Sequence, residues 1–313
     1  MIWQPEFTDK ILSRKPGAVQ GCMFSIRTLL PISASVSVPT KQSQSIPITL
    51  AGRTIEKAQE KEGLLVFLGM KSVNDYTLNI LGQNVSRVTT GKKPYDLLFL
   101  NDATKQDFDK RKMEFTYPGA NKSHLQSSNS DVVAAAAISI TATEMKTILP
   151  DDLTPGKYNK IYLSGHGSAG LPLLKCGDEF LSPSDIVDRI VQHNLHEIDD
   201  IRLTSCNSAN IIKNKDFSPD EIEKSANMNN GWLARALFGQ KRSLAEHVYA
   251  EFERRGINVS ISGYHGTGVF YVPEHGKPTT HLRSTTVPAT PEHTVRRSDY
   301  RATLGRTQPI DIE

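Results

Sequence analysis

Lys160-Ile-Tyr-Leu-Ser-Gly-His166-Gly167 and Ile201-Arg-Leu-Thr-Ser-Cys206-Asn207, with Ser182-Pro-Ser-Asp185 between them, decide the fold. Each outer stretch is a short apolar run stopped by small residues, the pattern of a buried strand. The middle stretch gives a helix its start: Ser182 at the N-cap, Pro183 at the first helical position and Asp185 three residues on. Ile186, Val187, Ile190, Val191 and Leu195 continue it as one apolar stripe. Strand, helix, strand over 160–205 is a βαβ unit. Its two strands run parallel and are joined by a right-handed crossover.

Outward from this unit the punctuation stays that of an α/β domain. Leu64 to Met70, Asp96 to Leu100 and Asn258 to Ser262 read as further strands. Ser243 with Glu246 makes a capping box for a helix whose Leu244, Val248 and Phe252 recur every fourth residue, and Gly256 stands at its C′ position. Ser218-Pro219-Asp220-Glu221 opens a shorter helix, and the Ala134 to Ala137 run fits either a helix or a strand. Residues 1–55 are rich in Ser, Thr, Pro and Gln and are expected to form a disordered leader that serves as a secretion signal. Residues 56–274 form the folded domain, and 275–313 are expected to be a disordered basic tail.

Composition removes several classes. The chain has 313 residues, 38% hydrophobic and 23% charged, which is enough for a full core. No stretch nears the roughly eighteen apolar residues of a membrane span. A net charge of +3 gives no general phosphate-binding surface, so nucleic acid is not an expected partner. Lys10, Arg14 and Lys15 precede Pro16 and Gly17 and no apolar run, unlike a Sec signal. Cys22, Cys176 and Cys206 are odd in number and far apart, which fits a reducing compartment and suggests neither disulfides nor a zinc site. No metal and no required cofactor is expected. His193 and His196 read as solvated residues.

In a parallel sheet, chemistry gathers at the carboxyl ends of the strands. There His166 and Cys206 emerge from neighbouring strands, an imidazole beside a thiol as nucleophilic acyl transfer requires. Gly165 and Gly167 leave peptide N–H groups unobstructed, and those with the Cys206 N–H can hold an oxyanion. Gly165, Gly167 and Gly170 also match G-x-G-x-x-G, but Leu171 to Gly177 is too short and broken for the helix a dinucleotide site needs. The segment around Ser168 lacks the first glycine of a serine-hydrolase elbow.

These residues resemble the clan CD cysteine peptidases, in which one apolar strand ends in His-Gly and another in a catalytic Cys. Over Tyr158 to Val272 the chain is most similar to the cysteine protease domain of multifunctional-autoprocessing RTX toxins. The resemblance implies a caspase-like three-layer α/β/α fold with a mostly parallel sheet, and an endopeptidase acting through a His166–Cys206 dyad. It implies an oxyanion hole from the Gly167 and Cys206 N–H groups, and a substrate strand lying beside Ser262, Gly263 and Tyr264. It further implies inositol hexakisphosphate as an allosteric activator, for which Lys213, Lys215, Lys241, Arg242, Arg254 and Arg255 offer positive charge. Thr204-Ser-Cys-Asn-Ser208 departs from the caspase pentapeptide, so aspartate specificity is not carried over. A secreted bacterial effector or toxin is the expectation, aided by a secretion chaperone and cleaving host proteins in the host cytoplasm. Two alternatives stay open: a catalytically silent adaptor, and thiol acyl transfer other than proteolysis, such as deubiquitination or transpeptidation.

Overall fold

The computed structural model describes residues 18–19, 62–226, 241–271, 280–283 and 295–305. The strands in chain order are β1 (Ala18–Val19), β2 (Glu62–Phe67), β3 (Asp96–Phe99), β4 (Thr147–Ile148), β5 (Tyr158–Leu163), β6 (Leu174–Cys176), β7 (Glu179–Leu181), β8 (Asp200–Leu203), β9 (Ser260–Tyr264), β10 (Thr267–Tyr271), β11 (Thr280–Arg283), β12 (Val295–Arg296) and β13 (Arg301–Leu304). The helices are α1 (Thr77–Thr89), α2 (Asp102–Lys112), α3 (Ser130–Glu144), α4 (Pro183–Gln192), α5 (Pro219–Ala226) and α6 (Leu244–Arg254).

Seven strands form the main sheet in the order β13-β9-β8-β5-β2-β3-β4, parallel except for β13, which runs antiparallel to β9. β5 is its middle strand; beside it β2, flanked by β5 and β3, has Gly63 to Phe67 buried, as expected of a strand covered on both faces. The chain moves from β2 outward through β3 to β4, then returns to the other side of β2 and proceeds through β5, β8 and β9. Right-handed crossovers in opposite directions put α1 and α3 on one face and α4 and α6 on the other. α1 packs on α3, and α4 on α6. One core cluster runs through both layers, from Ile80, Leu81 and Ala137 to Ile186, Val248 and Phe252.

The helix signals act as read. Ser182 accepts from the Asp185 N–H while Asp185 accepts from the Ser182 N–H, and Ser243 and Glu246 do the same for α6. Gly256 adopts φ +70° just past the α6 C-cap, where a side chain would be strained. The alanine run belongs to α3. Positions 133–142 are all buried, so no polar stripe marks a helical period there.

The expected tail holds structure. β11 and β12 lie inside it, paired with β10 and with each other in a four-stranded sheet that also includes β1 from the expected leader. β13, also in the tail, closes the main sheet. An edge strand needs only one half-covered face, and the alternation of exposed Arg301 and Thr303 with half-buried Ala302 and Leu304 supplies it. The expected leader apart from 18–19, with Cys22, and the expected tail apart from 280–283 and 295–305 lie outside the described residues. Among the described residues, no helix is long and apolar enough to cross a membrane.

Candidate active site

The register of two strands sets the site. In β5 and β8, Ile161 pairs with Ile201, Tyr162 with Arg202 and Leu163 with Leu203. His166 and Cys206 each follow their paired leucine by the same number of residues, so both stand at one level of the sheet's carboxyl edge. The pairing persists past the strands, with the Thr204 N–H and hydroxyl both donating to the Leu163 carbonyl, at 3.0 and 2.8 Å.

Each loop is then pinned. The His166 N–H donates to Lys175 O at 2.8 Å, and His166 O accepts from the Lys175 N–H at 2.9 Å, an isolated bridge to β6. Beyond the thiol, Asn207 takes a left-handed φ of +54°, a short polar side chain suiting that turn. Its N–H donates to Gly266 O at 2.8 Å, and Ser208 Oγ links Leu203 O to the Tyr264 N–H. The two loops meet at Gly167, where a Cβ would stand 2.8 Å from both Cys206 O and Ser205 Oγ. Only glycine permits that approach. His166 and Cys206 are both half-buried, screened yet reachable.

Two further side chains belong to this edge. The buried Tyr76 ring stands at 80° to the His166 imidazole with 4.6 Å between centroids. Its hydroxyl is within hydrogen-bond range of Ser164 Oγ at 3.2 Å, and Gln83 Nε2 donates to that same oxygen at 2.6 Å. Burial raises the Tyr76 hydroxyl well above the usual phenol range; the thiols of Cys176 and Cys206 add to this and Arg297 opposes it. Tyr76 therefore stays protonated and serves as a wall for the imidazole. Arg297 is the second: its Nη2 donates to Thr204 O at 2.7 Å, and its guanidinium lies 4.1 Å from the centroid of the Tyr264 ring. Sequence reasoning missed both. Tyr76 carries no local motif, and Arg297 was hidden among the basic residues of the expected tail.

Neither the other described cysteine nor the full set of expected substrate-binding residues joins the dyad. Cys176 is fully buried, its thiol pushed up to about 12 by desolvation and its Sγ near Ser164 O, so it is an inert core residue. Ser262 and Gly263 do not border a free groove. β13 occupies the edge of β9 where a substrate strand was expected, pairing Thr303 with Ser262 and Ala302 with Gly263, and Ser262 Oγ is 2.9 Å from Thr303 Oγ1. With β8 on its other side, β9 has no open ladder; Tyr264 alone of the three reaches the carboxyl edge, beside Arg297. Of the basic residues, Arg254 and Arg255 are already engaged by Glu251, and Arg255 also by Asp188. Among the described residues, no group of three or more His, Cys, Asp or Glu could hold a metal ion.

No family model matches this chain, and no curated protein matches it.

Proposed function

We propose that the protein is a cysteine endopeptidase of caspase-like fold, with Cys206 as nucleophile and His166 as general acid and base. The observation that carries the reading is the shared register of β5 and β8, with His166 and Cys206 each three residues beyond a paired leucine and the Gly167 loop so close to Cys206 that a side chain at 167 would meet its carbonyl. In the proposed reaction the Cys206 sulfur, as thiolate, forms a bond to a peptide carbonyl carbon. The carbonyl oxygen takes negative charge opposite the Gly167 and Cys206 N–H groups. As the C–N bond breaks, the His166 imidazolium gives its proton to the departing amine. A water then attacks the thioester, giving a proton to His166, and the acid product leaves as sulfur departs.

The test is N-terminal labelling of a mammalian cell lysate treated with the protein or with Cys206→Ala, each with and without inositol hexakisphosphate. New N-termini are expected with the unmodified protein alone, and the polyphosphate arm reads whether that anion activates it. His166→Ala should lower turnover by about 10²–10⁴-fold, the usual contribution of a positioned acid and base. Identical N-termini with Cys206→Ala would overturn the peptidase reading and leave the adaptor or a non-peptide acyl transfer.

A further inference from the structure

Arg297 carries a positive charge at the candidate site, and among the described residues no carboxylate meets it. Arg189, Arg202 and Arg255, whose side chains are 18%, 17% and 20% exposed, pair with Glu179, Asp200 and Asp188 respectively. Arg297 is also half-buried, yet among the described residues it has no carboxylate partner, and its Nε–H is buried with no acceptor. Among the described residues, its Nη2 donates to Thr204 O and its guanidinium lies against the face of Tyr264. A buried donor without an acceptor is destabilising, and a guanidinium presents a planar fork suited to a carboxylate. A protein that keeps such a group at its reactive edge gains most when a ligand supplies the anion.

The location narrows the ligand. Thr204 lies two positions before Cys206 in the same chain segment, and Arg297 acts electrostatically on Tyr76, the ring standing against His166. The loop acids that could have favoured a basic substrate are engaged elsewhere: Glu179 holds Arg189 and the Met70 N–H, and Asp178 accepts from Asn74.

We infer that Arg297 is a specificity-determining residue that receives the carboxylate of an acidic substrate residue close to the bond cleaved, with Tyr264 as the platform holding the guanidinium flat. This inference rests on the peptidase reading above. It differs from a purely structural role, in which Arg297 would only staple 295–305 to β8, because stapling predicts no preference among substrates.

The experiment compares cleavage-site profiles and kcat/KM on matched peptides carrying Asp, Glu, Asn or Lys at the enriched position, for the unmodified protein, Arg297→Lys, Arg297→Gln and Arg297→Glu. The unmodified protein should favour Asp or Glu at one subsite. Arg297→Gln, which keeps a donor for Thr204 O, should lose about 10- to 100-fold on acidic peptides and little on Asn peptides, in line with a lost charge-assisted hydrogen bond. Arg297→Lys should recover part of that loss, and Arg297→Glu should favour Lys. Thermal unfolding of each variant separates these effects from misfolding, and Arg297→Gln decides if Arg297→Glu does not fold. Cleavage without acidic preference, or an equal loss on all peptides, overturns this inference and leaves the peptidase reading intact. Absence of any cleavage by the unmodified protein overturns the peptidase reading, and this one with it.

Discussion

At the scale of single residues, Gly167 decides how closely the two loops come together. It follows the candidate base, and its missing side chain is what lets the backbone of one loop rest on Cys206 of the other. Gly167→Ala puts a Cβ where both Cys206 O and Ser205 Oγ lie 2.8 Å away, so one loop must retreat. The expected outcome is a fall in kcat of roughly 100-fold, the scale of an ångström-sized misplacement of reacting groups. The β5–β8 ladder and core remain, so the thermal midpoint should change little, and near-normal kcat would show that the loops need not touch. His166, Gly167 and Cys206 were legible in the sequence because each follows a strand at a fixed offset. Tyr76 and Arg297 were not, because their place in the site comes from contacts across long stretches of chain and not from local spacing.

At the scale of elements, the cap and turn chemistry of α4 and α6 was legible down to the residue, since a cap is a local arrangement of neighbours in sequence. What joins those two helices was not. Arg255, just past α6, donates to Asp188 of α4 at 2.6 Å and pairs with Glu251 at 2.7 Å. Bonds from Arg254 and Arg255 hold the Glu251 carboxyl at about 2, against 4.5 ordinarily. A carboxyl depressed in the folded state stabilises above its unfolded value and loses that contribution as pH falls toward the folded one. The clamp should therefore act fully above about pH 4.5 and fade toward pH 2. Glu251→Gln removes the titrating group, so its unfolding midpoint, measured from pH 7 down to 2, should start lower and fall less steeply over that window. Parallel curves would mean that Glu251 is equally paired in the unfolded chain.

At the scale of the whole molecule, an α/β architecture with a mostly parallel sheet was legible from apolar runs alternating with capped helices. The closure of the sheet was not, because β13 is four residues in a polar, arginine-rich stretch and finds its partner through a long-range pairing. That closure bears on function: it removes β9 as a substrate-binding edge and delivers Arg297 to Thr204. It also bears on stability and solubility. A chain ending at Tyr300 would keep Arg297 and the Tyr300 carbonyl that accepts from the His265 N–H at 3.1 Å. It would lose the four register pairs of β13 and the Ser262–Thr303 contact. Their net contribution should be roughly 2 kcal/mol, or about 4–8 °C in midpoint for a domain of this size. The bared edge of β9 would present unpaired N–H and C=O groups to other chains, a template for edge-to-edge association. The truncated protein should melt earlier and show concentration-dependent self-association by light scattering while retaining any acidic preference conferred by Arg297. An unchanged midpoint with no association would mean that β13 rests on the sheet without stabilising it, and loss of acidic preference would mean that Arg297 depends on β13 for its position.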